Sequence, residues 1–183
     1  QQGFSTQAVT YAQGRPDYPR QLTGWLAATL RIDAQSSVID LGAGTGKFTR
    51  LLSTLAPTLT AVEPVAAMGA QLTKLLPDVR LVNGTAESIP LPSASTDAVV
   101  CAQAFHWFST EAALAEIHRV LKPDGRLGLV WNVRDESVDW VAAITEIITP
   151  YEGDTPRFHT GRWREAFTGE YFSDPEVTCF PYS

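Results

Sequence analysis

"VIDLGAGTGKFT", residues 38–49, places an apolar, β-branched run and an aspartate directly before three glycines spaced two apart. A short apolar run closed by glycine predicts a buried strand over 36–41. Phe48, Leu51, Leu52 and Leu55 then fall at i, i+3, i+4 and i+7, one face of a helix that Pro57 stops. Gly42, Gly44 and Gly46 have no Cβ, so the turn between strand and helix lets a ligand approach the backbone closely. A nucleoside triphosphate, a dinucleotide and a phosphate-free nucleoside are all ligands of such turns, and spacing separates them.

A triphosphate loop needs G-x-x-x-x-G-K-[ST]. With Gly46-Lys47 as its end, the first glycine falls on Leu41 and the hydroxyl position on Phe48, so two defining positions fail. A dinucleotide loop needs G-x-G-x-x-G, whose third glycine falls on Lys47, and Asp40 sets a negative charge where a pyrophosphate would lie. A nucleoside carrying a cation instead of phosphates meets neither objection. Asp40 can neutralise an ammonium, directly or through water. Lys47 is then expected as a solvated position in the first helical turn.

The rest of the chain repeats the pattern. "LTAVE" (59–63), "VRLV" (79–82), "DAVVCAQ" (97–103) and "RLGLVW" (126–131) read as further strands. Helical spacing marks Leu22, Trp25, Leu26 and Leu30 before them, and Met68, Leu72, Leu75 and Leu76 after the second. Leu114, Ile117 and Leu121 mark a helix capped by Ser109, and Val141, Ile144 and Ile148 one more. "KPDG" (122–125) turns the chain into the last strand. Strands alternating with helices predict an α/β domain, a doubly wound, mostly parallel sheet flanked by helices. Its ligands bind beyond the strand C-termini, where the strand order reverses. The second strand ends in Glu63, 17 residues after Gly46, near the offset at which an acid meets ribose hydroxyls. A carboxylate accepts two hydrogen bonds, and Pro64 keeps Glu63 out of helical conformation.

The 183 residues are 44% hydrophobic and 19% charged, enough for a sizeable core. A net charge of −6 disfavours a nonspecific nucleic-acid binder, although Arg157, Arg162 and Arg164 cluster late in the chain. No apolar run is long enough to span a bilayer, and "QQGFSTQAVT" lacks the order of a secretory signal. Two cysteines make no disulfide framework, and three scattered histidines make no metal site. Cys101 is expected as a reduced core residue, and a cytoplasmic location is the default reading.

"D-L-G-A-G-T-G" at a strand–helix junction resembles motif I of the class I S-adenosylmethionine-dependent methyltransferases. "NGTAESIPLP" (83–92) resembles their adenine-flanking loop, and "LKPDGRLGLVW" (121–131) closes a likeness that begins near Tyr11. "YAQGRPDYP" (11–19) is similar to an arm of the trans-aconitate methyltransferase-like, small-molecule group. The resemblance implies a Rossmann-like fold, S-adenosylmethionine as cofactor and a small-molecule methyl acceptor reached by in-line displacement. It implies cofactor contacts from Asp40, Gly42, Ala43, Gly44 and Gly46, and from Glu63, Pro64 and Met68. Thr85, Ala86 and Glu87 flank the adenine, through backbone donors at Ala86 or Glu87, and Gln103 and Ala104 meet the methionine part. Tyr11 and Arg15 form a lid. His106 is the candidate base or substrate contact, and Trp107, Trp131, Trp140 and Trp163 are candidates for an apolar acceptor pocket.

The chain is expected as one methyltransferase domain: arm and first helix (1–35), cofactor-binding core (36–131) and substrate-side segment (132–183). The family implies two more strands after Trp131, one of them antiparallel, whereas the sequence shows helical segments and "EVTCFPYS", at most the start of one strand. A nicotinamide-dependent oxidoreductase and a non-catalytic cofactor-binding protein remain the alternatives.

Overall fold

The computed structural model describes residues 17–154 and 156–181. Helix α1 (Gln21–Leu30) leads into β1 (Ser37–Leu41), α2 (Lys47–Leu52), β2 (Thr58–Val62), α3 (Ala66–Leu75) and β3 (Arg80–Val82). β4 (Thr96–Ala102), α4 (Glu111–Val120), β5 (Leu121–Val130) and α5 (Asp139–Ile148) follow, with short 3-10 turns at Phe105–Trp107, Thr149–Tyr151 and Arg162–Ala166. The five strands form one parallel sheet in the order β3-β2-β1-β4-β5. The chain runs outward from β1 to β3 and then returns to the other side with β4, so the order reverses between β1 and β4.

Period-two alternation explains why β1 and β4 are apolar throughout. Val38 of β1 and Ala98 and Val100 of β4 face a core that holds Leu26, Leu30, Phe48 and Leu52. Ile39, Leu41, Val99 and Cys101 face the opposite core, with Phe105, Leu114, Ile117 and Trp163. Both faces are covered by helices, so no polar side of the strand is needed. Each fully buried Leu or Ile in these layers contributes about 1.5–3 kcal/mol relative to exposure.

Several local expectations are corrected. The helix α4 is capped by Thr110, not Ser109: Thr110 is extended and its hydroxyl accepts from the Ala113 N–H at 3.1 Å. That is the N-cap to N3 geometry, which Ser109 stands one residue too early to make. Leu121 begins β5 instead of ending α4, and Lys122–Gly125 swell out between the Thr96–Leu121 and Ala98–Arg126 pairs. Leu75 is 48% exposed, and α5 has no buried residue although its pattern is amphipathic. Among the described residues no strand follows Val130, and "EVTCFP" (176–181) is irregular, with Phe180 packed edge-on against Trp25 at 5.7 Å.

Candidate active site

A cleft of about 450 Å³ opens beyond the carboxyl ends of β1, β2 and β4, at the point where the strand order reverses. The glycine loop forms its floor. Gly42 and Ala43 both donate to the Val62 carbonyl, at 2.9 and 3.2 Å, which bends the chain over the end of β2. Gly42, Gly44 and Gly46 all have positive φ. A Cβ on Gly42 would fall 2.8 Å from the Ala104 Cβ, and one on Gly46 would fall 2.9 Å from Leu72 Cγ. The outer two glycines therefore let the loop pack against the β4 turn and α3. Gly46 does not line the cleft at all.

Glu63 is only 7% exposed, yet it lies on the cleft wall. One carboxylate oxygen accepts from Gly44 N–H and the other from Val65 N–H, both at 2.8 Å. The side chain thus ties the glycine loop to the end of β2 and is held in a single orientation. Burial raises its pKa, and the two backbone donors oppose that shift.

Asp40 is placed differently from the expectation of a ligand contact. It is 1% exposed beneath the loop and outside the cleft wall, and accepts from the Thr49 hydroxyl at 2.6 Å. Its other oxygen has no hydrogen-bond partner among the described residues. Burial pushes this carboxyl up to about 7; the Thr49 bond opposes the shift and the nearby Glu63 charge adds to it. The same burial, with the Asp40 charge beside it, raises the Cys101 thiol.

At the end of β4, Gln103 stands in the left-handed region at φ 57, held by its N–H on the Val130 carbonyl at 2.8 Å. A non-glycine residue there is strained, and such strain gathers at functional sites. Gln103 and Ala104 both line the cleft, and the Gln103 amide nitrogen is buried with no partner among the described residues. Ala43, Gly44, Pro64 and Met68 line it too, as do Thr85, Ala86 and Glu87 on the far side. Thr85 and Ser88 exchange backbone hydrogen bonds at 3.2 and 3.3 Å, which closes a tight turn with Ala86 and Glu87 at its centre.

His106 is not part of the cleft wall. Its Nδ1 accepts from the Trp131 indole N–H at 3.0 Å, so a neutral ring carries its proton on Nε2. Of the four candidate pocket tryptophans only Trp107, 45% exposed, joins the cleft. Trp163 is buried, with Trp131 at 4.8 Å and Phe158 at 5.8 Å, and Trp140 is 67% exposed on α5. Tyr11 and Arg15 lie outside the described residues. Phe108, the end of the segment "AQAFHWF" expected to line the cleft after the fourth strand, is on its wall. The sequence reading missed Tyr18, edge-on to Phe48 at 4.8 Å, and Lys47, both on the cleft wall. Lys47 is not a solvated residue: its side chain is 25% exposed and its ammonium lies 3.4 Å from Asp17. The aromatic spacing around "DYP" was the available signal for Tyr18; nothing in the sequence marked Lys47.

Neither a cluster of metal-ligating side chains nor a helix long and apolar enough to cross a membrane occurs among the described residues.

Residues 39–129 match the family described as a methyltransferase domain. The chain is 42% identical, over 181 residues, to a Schizosaccharomyces pombe protein named "uncharacterized methyltransferase-like", an alignment covering 98% of this chain and 71% of that one. The crystal structure of YcgJ from Bacillus subtilis superimposes with a TM-score of 0.60 at 26% identity, covering 81% of this chain and 68% of that one. An amino pentose methyltransferase from Micromonospora echinaspora, solved with S-adenosylmethionine bound, gives a TM-score of 0.57 at 27% identity over 72% of this chain and 57% of that one. The cleft at the strand-order reversal, the glycine loop above β1 and this sequence kinship agree: the chain belongs to the class I S-adenosylmethionine-dependent methyltransferase family.

Proposed function

We propose that this chain binds S-adenosylmethionine in the cleft and transfers its methyl group to a small-molecule acceptor. The observation that carries the reading is Glu63: a carboxylate fixed by two backbone donors at the tip of β2, on the cleft wall beside the glycine loop. Each of its oxygens keeps a second lone pair, which suits a vicinal diol. The other residues fit the same cofactor. The partnerless amide nitrogen of Gln103 is a donor for the amino-acid end, and the turn at Ala86 and Glu87 supplies backbone donors at the adenine end. Asp40 lies beneath the loop, where its burial keeps it from touching a ligand, and it holds the Thr49 hydroxyl at the start of the following helix.

When bound, S-adenosylmethionine supplies an electrophilic methyl group for in-line displacement. The protein then has to orient the reactants and exclude water. Trp107, Phe108 and Tyr18 are the apolar wall for the second task. His106 is read as a positioning residue, since its Nδ1 lone pair is engaged by Trp131. An acidic chain and a cleft of this size favour a small acceptor, and the amino pentose methyltransferase that shares the fold carries such an acceptor in its name.

Thermal denaturation with added ligand tests the cofactor. S-adenosylhomocysteine at about a hundred times its Kd should stabilise by roughly 2.7 kcal/mol, a rise of roughly 5–10 °C in a chain of this size. NAD should give no shift, and Glu63→Ala should abolish the effect. Stabilisation by NAD alone would remove this reading. Methyl transfer to a panel of small acceptors, absent in Glu63→Ala, separates an enzyme from a cofactor-binding protein.

A further inference from the structure

The turn after β4 meets the glycine loop on one side and the segment after β5 on the other. On the cleft side, Ala104 and Phe108 close on the loop. A Cβ built on Gly42 would fall 2.8 Å from the Ala104 Cβ and 3.4 Å from a Phe108 ring carbon. One α-hydrogen of Gly42 therefore points at the Phe108 ring, and both Ala104 and Phe108 line the cleft. The Gln103 N–H, on the Val130 carbonyl at 2.8 Å, fixes the turn at its base.

The far side of the turn is held by aromatic rings. Phe105 is fully buried at the start of the 3-10 turn and does not line the cleft. Its ring stands edge-on to Phe108 at 5.7 Å, edge-on to Trp163 at 6.5 Å and tilted against Phe167 at 5.7 Å. Trp163 also packs on Trp131 at 4.8 Å, whose indole N–H holds His106 of the same turn. Neither Trp163 nor Phe167 lines the cleft, yet one ring separates them from its wall. A close-packed interior cannot absorb a displaced ring and passes the strain on.

We infer that Phe105 is a positioning residue of the cleft: it carries the packing of Trp163 and Phe167 to Phe108 and so sets the wall against the glycine loop. Its effect on ligand affinity rests on the cofactor assignment of the preceding section; its effect on the wall does not.

Nuclear magnetic resonance and titration calorimetry test this. Phe167→Leu keeps an apolar side chain and removes a ring that does not line the cleft. It should shift the Gly42 α-hydrogen resonance, which senses the Phe108 ring current, in the direction that Phe108→Leu shifts it. Phe105→Leu, which removes the linking ring, should do the same and leave Phe167→Leu nothing to add. Leu26→Val, in the opposite core layer, should leave the resonance in place, and so controls for lost packing in general. By calorimetry Phe167→Leu should weaken S-adenosylhomocysteine about threefold or more, but by less than about twofold in a Phe108→Leu background, the mark of coupled neighbours. An unmoved Gly42 resonance in Phe167→Leu, or losses that add in full in the double variant, overturns the inference and leaves the cofactor assignment in place. If the wild type does not bind S-adenosylhomocysteine, the cofactor assignment fails, and the Gly42 resonance alone decides for or against Phe105.

Discussion

Asp40 and Glu63 have the same chemistry and different work, and burial separates them. Glu63 receives two backbone donors and lies on the cleft wall; Asp40 receives one hydroxyl donor and lies beneath the loop. A carboxyl held up at about 7, against 3.8 in the unfolded chain, binds more protons in the native state between those two pH values. The stabilisation this gives is complete below the unfolded value and is lost as pH rises through about 7. Wild-type stability should therefore fall between pH 5 and pH 8, by an amount on the order of a few kcal/mol. Asp40→Asn keeps the shape and an acceptor for Thr49 but cannot ionise. Denaturant titrations at both pH values should show a clearly smaller fall in the variant, and equal falls would mean that Asp40 does not carry the effect. The sequence placed Asp40 correctly at the end of β1. Its direction was not legible, because one residue's parity along a strand does not tell which loop will cover it.

At the scale of elements, α4 has a second task beyond covering the sheet. Arg119 grips Glu116 through a two-bond fork at 2.7 and 2.8 Å and donates to the carbonyls of Ile89 and Leu91, both at 3.0 Å. Glu116 in turn accepts from Ile89 N–H at 2.8 Å. These bonds hold the segment that follows the Thr85–Ser88 turn, so the position of Ala86 and Glu87 depends on a helix that does not touch the cleft. Arg119→Ala leaves two carbonyls without this donor and the Glu116 carboxylate with only the Ile89 N–H, a cost of about 1–3 kcal/mol. It should also weaken S-adenosylhomocysteine several-fold, with Arg119→Lys restoring stability only in part because a lysine has no fork. Unaltered ligand affinity in a destabilised Arg119→Ala would confine the pair to a structural role. The helix itself was evident from Leu114 and Ile117, whereas its cap was misread by one residue. Ser109 and Thr110 are equally good capping chemistries, and only the backbone conformation at Thr110 decides between them.

Across the whole molecule, what could be read from sequence is what is covered on two sides. Val38, Ile39, Val99 and Val100 spell out β1 and β4 because both faces meet helices, so composition alone marks the strands and their alternation with helices gives the parallel sheet. Amphipathicity carries less information. It gave α5 as a helix but not what lies against its apolar side, and the described structure leaves Trp140 and Ile147 both 67% exposed there. The segment after Val130 is instead anchored by its aromatic residues: Trp163, 3% exposed, packs with Phe105 and Phe167 on the core beneath α4. Stability should accordingly be graded along the chain. Amides of β1 and β4, central in the sheet and buried on both faces, should exchange with solvent only when the whole domain unfolds. Amides of α5, a helix with no buried residue, should exchange through local opening at far lower free energy. Native-state hydrogen exchange in rising denaturant separates the two: the β1 and β4 amides should follow the global unfolding slope, and those of α5 should show almost none. If α5 instead merges with β4 at the global limit, its apolar face is covered in solution, and the gradient proposed here is wrong.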